Sequence, residues 1–275
     1  QYKDRRCNCM ENNSLNNEKC VILEGITSIS ACIRSAEEGH PSRKIYEVLI
    51  DLGRISDAGD RLRRRLSYLR AKSEEHEFPL RLCETAEIAS LATGTTHGGI
   101  IARTEPRVIP TLDMPAIAGG GFYMLFDGIE DPYSFGYSLR SLYAAGADGV
   151  ILPGGHVINS DGIISRASAG TYELLPIYSM PNGSADAVKM FRSAGYRVLC
   201  SEIRDSVPYI KAGLKRPLLI VMGGEKRGIS SALAAACDGN ISIPYGRPFM
   251  GSLSTASAVA VLAFEVLRNS EAAEN

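Results

Sequence analysis

Short apolar runs alternate with amphipathic, helix-patterned stretches along most of the chain, and this spacing predicts two successive α/β units. The first opens with a strand at Cys20–Leu23, a helix at Ser28–Glu38 and a strand at Lys44–Ile50. A charged helix follows over Asp57–Lys72, then a strand or turn near Phe78–Leu82 and a helix at Cys83–Ala92. The second unit reads strand Phe122–Phe126, helix Ser134–Ala145, strand Gly149–Leu152, helix Ser165–Leu174 and strand Leu175–Ser179. It continues with helix Ser184–Ala194, strands Tyr196–Cys200 and Leu218–Met222, a helical Ile229–Cys237, strand Asn240–Ile243 and an apolar helix through Arg268. Regular strand–helix alternation predicts a mostly parallel sheet covered on both faces, hence an α/β fold class. Residues 1–19 are polar and Asn-rich, the composition of a flexible tail. Three prolines within 103–120 and a Gly triplet ending at Gly121 predict a linker at 106–120, dividing a domain at 20–105 from one at 121–270.

Candidate chemistry concentrates near the C-terminal end. The run Leu218–Met222 passes directly into Gly223-Gly224-Glu225-Lys226-Arg227-Gly228, and Ile243 opens a second Gly- and Pro-rich loop ending at Ser252-Leu253-Ser254. A buried strand that ends in a Gly-rich turn before a helix leaves backbone N–H groups free to surround a polar ligand. Two such loops on one sheet can converge on one ligand at the strand ends. Earlier, an acidic turn at 127–131 precedes a helix carrying Arg140 about two turns in. This arginine fits either an ordinary surface position or a contact to phosphate.

Composition narrows the partners. The formal net charge is −1, so no global field recruits nucleic acid and any such contact needs a local patch. The charged helix supplies one, with Arg61, Arg63, Arg64, Arg65, Arg70 and Lys72. It reads either as a solvated face or as a surface whose guanidinium forks meet phosphate oxygens. The cysteines are odd in number (7) and scattered, and Cys7-x-Cys9 lacks a completing pair, so no metal is expected. His97, between threonines and glycines, reads as a local hydrogen-bonding residue. No apolar stretch approaches membrane-spanning length and QYKDRRCNCM lacks a leader's apolar core, so a cytoplasmic, membrane-free protein is expected. No G-x-G-x-x-G follows an early strand, which disfavours a dinucleotide oxidoreductase.

Three ordered segments, DGIEDPYSFGYSLRSLYAAGADGVIL, LLIVMGGEKRGIS and ISIPYGRPFMGSLSTASAVAVLAFE, resemble the motifs of the SpoU/TrmH RNA 2′-O-ribose methyltransferases of the SPOUT superfamily. Arg166-Ala167-Ser168-Ala169-Gly170 is similar to the same family. Residues 20–105 resemble the ribosomal-protein-like RNA-binding domain many members carry. The resemblance implies a trefoil-knotted α/β domain, a homodimer, an RNA substrate (rRNA or tRNA) and S-adenosylmethionine as cofactor. It assigns the cofactor to Gly223, Gly224, Ile243, Ser252 and Leu253, and catalysis to Arg140 and Glu225 with Ser134 and Ser254. Arg61, Arg63, Arg64 and Arg65 become candidate RNA contacts. Ser134 and Ser254 stand where the family has Asn, and Pro248 lengthens the last loop. Serine keeps a hydroxyl but loses the amide's two donors. This leaves a second reading, a SPOUT-fold RNA- or cofactor-binding protein with weakened catalysis.

Overall fold

Two strands with no polar interior position, β5 (Phe122–Asp127) and β10 (Leu218–Gly223), lie side by side and in parallel at the centre of the larger sheet. Both are buried on two faces, which is why they read as continuous apolar runs rather than alternating ones. The computed structural model describes residues 20–55, 59–154, 160–224 and 228–274. The segment 1–19, with Cys7 and Cys9, lies outside the described residues, as does Glu225.

The N-terminal region consists of β1 (Val21–Glu24), α1 (Gly25–Glu37), β2 (Ile45–Asp51), α2 (Leu52–Ile55), α3 (Asp60–Glu75), β3 (Leu80–Cys83), α4 (Thr85–Leu91) and β4 (Ile100–Thr104). Its four strands form one sheet in the order β1-β4-β2-β3, antiparallel except for β2 and β3. The charged helix therefore runs from Asp60 to Glu75, not from Asp57 to Lys72. The segment after His97 enters a central strand, β4, that the sequence pattern does not single out.

The rest comprises α5 (Met114–Ile117), β5, α6 (Pro132–Ala144), β6 (Gly149–Pro153), α7 (Asp161–Ala167), α8 (Thr171–Leu174), β7 (Ile177–Met180), α9 (Ser184–Ser193), β8 (Arg197–Ser201), β9 (Ser206–Pro208), β10, α10 (Ser231–Ala236), β11 (Gly239–Ser242) and α11 (Thr255–Glu274). Seven strands form an all-parallel sheet in the order β7-β6-β5-β10-β8-β11-β9. Alternate residues of β5 divide between its faces. Phe122, Met124 and Phe126 pack with Phe135, Leu139 and Leu142 of α6 and Val259, Leu262 and Val266 of α11. Tyr123 and Leu125 pack with Val188, Phe191 and Tyr196 on the other side. The single helix expected over Ser165–Leu174 is two, because Ala169 (φ 53°) and Gly170 (φ 85°) turn the chain through left-handed backbone. The segment 106–120 runs along the sheet: Thr111 bridges Ser179, Leu112 and Ile117 are buried, and the Tyr123 hydroxyl donates to Ala116 O at 2.8 Å.

Polar contacts join the two sheets. Arg43, with a side chain 0% exposed, pairs with Asp161 at 2.9 Å and Glu173 at 3.1 Å. The Tyr172 hydroxyl donates to Asp161 at 3.0 Å, and Arg107 lies over the Tyr172 ring at 4.7 Å. At a second point, Arg166 of α7 forms a short ion pair with Glu24 at the end of β1. No helix among the described residues is long and apolar enough to cross a membrane.

Candidate functional site

The two Gly-rich loops meet. A cleft of about 810 Å³ opens at the carboxyl ends of β8, β10 and β11, within the size range of small-molecule sites. Gly223, Gly224 and Gly228 line it from the loop after β10, Ile243 to Tyr245 from the loop after β11, and Ser252, Leu253, Ser254 and Thr255 from the approach to α11. All five residues assigned to the cofactor by resemblance are thus brought together, and Ser254 with them. The walls are largely apolar (Ile203, Met222, Ile229, Ile241, Ile243, Leu253) and interrupted by backbone polar groups. That combination suits a flat heterocycle held by main-chain hydrogen bonds.

The glycines are sterically required. A Cβ on Gly224 would lie 2.5 Å from the Gly128 carbonyl oxygen, and one on Gly223 would lie 2.8 Å from the Gly228 carbonyl carbon. Both neighbours are backbone, so no side chain can move aside. Register explains the closeness of Gly128: Gly223 pairs with Asp127, so the turns after β10 and β5 start side by side.

Ser254 caps α11: its hydroxyl accepts from Ser257 N at 3.2 Å and lies 2.9 Å from Ser257 Oγ. Leu253 N donates to the Tyr245 hydroxyl at 3.1 Å, tying the end of the loop to its beginning, and Phe249 packs edge-on against Tyr245. Sequence reasoning missed Ser201, Glu202 and Ile203, which form the cleft's far wall after β8. Glu202 is the one carboxylate among the described lining residues, and it accepts from Ile203 N at 2.8 Å and Arg204 N at 3.3 Å. The only available signal was its place just past a strand end.

Arg140 and Ser134 do not line this cleft. Ser134 sits in the first turn of α6, where Asp131 caps the helix and accepts from Ser134 N at 2.8 Å. Its neighbour Pro132 occupies the first helical turn, where no N–H is needed. Arg140 is exposed and, among the described residues, in no salt bridge. On α3, Arg63 and Arg64 are exposed and Arg65 half-buried, and none of the three is ion-paired among the described residues; the Arg61 side chain lies outside the description. Lys72 differs, bound to Glu37 and Glu75.

Glu24 is buried and strongly held. Burial alone would raise its pKa, but hydrogen bonds from Thr93 and Gly94 and the charge of Arg166 hold it below the ordinary carboxylate range. Arg166 Nη2 also lies 3.5 Å from the Tyr133 hydroxyl at the start of α6.

Comparison with known proteins places this geometry. The sequence model of the SpoU rRNA Methylase family matches residues 121–264. The 23S rRNA (guanosine-2′-O-)-methyltransferase RlmB of Shewanella oneidensis is 25% identical over 255 residues, covering 91% of this chain and 98% of its own. The RlmB of Yersinia pestis is 28% identical over 90% of this chain and 96% of its own. Among solved structures, an RNA 2′-O ribose methyltransferase superposes with a TM-score of 0.73 at 20% identity, covering 92% of this chain and 90% of that one. The SpoU methyltransferase AviRb from Streptomyces viridochromogenes, solved with AdoMet, gives 0.70 at 23% identity and 92% of both chains. The chain shares with them the SPOUT fold.

Proposed function

We propose, from the premise that the chain belongs to the SpoU rRNA methylase family, that it is an S-adenosylmethionine-dependent RNA 2′-O-ribose methyltransferase acting on ribosomal RNA. The observation that carries this reading is the convergence of two glycine-bearing loops on one apolar cleft with no room for a Cβ at Gly223 or Gly224. Gly223, Gly224, Ile243, Ser252 and Leu253 would hold the cofactor, chiefly through main-chain groups. When bound, it supplies an electrophilic methyl group.

The chain's own contribution is placement and charge. A ribose hydroxyl held in line accounts for much of the acceleration in such a transfer. Arg140 is a poor base, because its guanidinium stays charged. It serves by fixing the phosphate beside the target ribose and stabilising the developing alkoxide. Its absence from the cleft of its own chain fits a homodimer in which the Arg140 of one protomer serves its partner's cleft. Glu225 enters this reading by resemblance alone. The exposed arginines of α3 supply contacts to RNA phosphates remote from the reacting ribose. A ribosomal RNA substrate supports the reading of a cytoplasmic enzyme.

Calorimetric titration with S-adenosylmethionine, followed by transfer of labelled methyl groups to ribosomal RNA, tests the proposal. Saturable binding and ribose-linked label are expected. Binding without transfer to any RNA would leave only a cofactor-binding protein of this fold.

A further inference from the structure

His97, Gly98 and Gly99 make the turn that leads into β4. Gly98 (φ 64°) and Gly99 (φ 77°) are consecutive left-handed residues, a backbone that side chains resist. The turn is fastened to the end of β2, where Asp51 N donates to Gly99 O at 2.9 Å, and Gly99 N donates to His97 Nδ1 at 3.1 Å. That second bond leaves the proton of a neutral imidazole on Nε2, which has no partner among the described residues. Two arginines flank the turn. A Cβ on Gly99 would lie 2.7 Å from Cδ of Arg54 in α2, and one on Gly98 would lie 3.8 Å from Nη1 of Arg65 in α3. Glycine at position 99 is therefore what lets the Arg54 side chain cross the turn. Arg54 is steered from beneath by Asp51, a carboxylate 2% exposed whose Oδ1 accepts from Gly53 N at 2.9 Å and from Thr85 Oγ1 at 2.7 Å. Asp51 Oδ2 approaches Arg54 Nε at 3.8 Å, beyond hydrogen-bond reach, and the Arg54 side chain stays 56% exposed. Arg65 is half-buried with no counter-charge among the described residues, whereas Lys72 on the same helix is bound to Glu37 and Glu75.

We propose that Arg54, Arg65 and His97 Nε2 together hold one phosphate group of the RNA backbone, seated over the Gly98–Gly99 turn. The inference rests on the reading of the chain as acting on RNA, and deepens it by naming a built contact where the sequence pattern offered only a charged helix. Guanidinium forks match phosphate oxygens two at a time, and a neutral imidazole N–H adds a donor from a third direction. Asp51 is saturated on one oxygen and fixes the approach of Arg54 with the other, so the outer nitrogens of that guanidinium face solvent already oriented. With no side chain at Gly98 or Gly99, a phosphodiester can come close to the main chain. A contact of this kind carries no base information; it sets the position and direction of the strand. Free phosphate shares the same chemistry, and the test separates the two.

The test compares the full chain with Arg54→Gln, Arg65→Gln and the double variant, each binding protein-free ribosomal RNA. One lost phosphate contact lowers the slope of log affinity against log salt by about 0.9. Each single variant should bind more weakly, with a deficit that shrinks about threefold between about 0.05 and about 0.2 M salt. Because both arginines grip one phosphate, the double variant should lose that same slope and no more. S-adenosylmethionine affinity should match wild type in all three variants, which shows that the fold is intact. Unchanged slopes, or a loss of about 1.8 in the double variant, would overturn the shared site. Inorganic phosphate, titrated while the His97 ring is followed by NMR, should shift its resonances in wild type and not in the double variant, and ribosomal RNA should compete with it. Phosphate binding at the turn with no change in the RNA slopes would assign it to a free anion and overturn the proposal. If the slopes fall as expected but wild type methylates no RNA, the enzymatic reading fails and the phosphate site stands.

Discussion

Replacing Arg43 by Met removes the side chain that, among the described residues, forms ion pairs with both Asp161 and Glu173 at the junction of the two sheets. Arg43 is wholly buried, and its guanidinium donates to Glu173 at 3.1 and 3.2 Å, to Asp161 at 2.9 Å and to Glu105 O at 3.2 Å. Breaking a buried pair from one side costs about 3–5 kcal/mol, because the partner charge stays desolvated. The lower end applies here. Asp161 keeps the Tyr172 hydroxyl and Arg107 N at 3.0 Å, and the Arg107 guanidinium remains close by. A loss of about 3 kcal/mol is therefore expected in urea denaturation. Lys189→Ala, which breaks an exposed pair with Asp186, serves as control and should cost under about 1 kcal/mol. Adding Glu173→Gln to Arg43→Met should restore part of the loss, since the least compensated carboxylate is then neutral. If Arg43→Met costs no more than the control, the junction is not held by charge and the reasoning fails.

Gly224→Ala should weaken S-adenosylmethionine binding at least about tenfold in calorimetry, because its Cβ meets the Gly128 backbone; unchanged affinity would remove the steric argument. Charge reversal at Arg63, Arg64 and Arg65 should weaken RNA binding and flatten its salt dependence, and an unaltered slope would make α3 a solvated face. Restoring Asn at both Ser134 and Ser254 should leave cofactor affinity similar and raise methyl transfer, because a longer amide adds donors and Asn also caps helices well; equal rates would show that neither position limits catalysis. Glu24 has a depressed pKa in the folded protein, so its stabilisation is complete above the unfolded carboxylate value and is lost as pH falls through the lower, folded one. Glu24→Gln should therefore be less stable at neutral pH and flatten the acid limb of stability against pH; an identical acid limb would contradict the assignment.

The central strands were legible because β5 and β10 are apolar without interruption, and only a doubly covered parallel strand tolerates that. The cleft loops were legible because each glycine run follows directly on a strand end. Three features were not. Glu24 and Arg166 lie 142 residues apart, and nothing local marks either as the other's partner. The break at Ala169–Gly170 falls within text whose small residues also suit a helix. The short strand β9 contains Pro208 and sits at the sheet edge, where a missing N–H is tolerated and no hydrophobic period develops. For Arg140 the sequence left open an ordinary surface position or a contact to phosphate, and the structure shows the residue exposed, with Leu139 and Leu142 in the core. What the pattern along one chain could not reveal is that this direction leads away from that chain's own cleft.

Every wall of the cleft comes from residues 201–258, although the sheet that carries it begins at Phe122. During synthesis, β5 to β7 and their helices can emerge and begin to pack before any of these walls exists. Only when Ala258 has left the ribosome and α11 can settle against α6 are the three loops held together. Completion of the cleft thus comes last in the order of assembly. A chain cut short within α11's first turn would retain all the sheet's strands yet lack one wall of the cleft, so a ligand seated there would report that synthesis has passed Ala258.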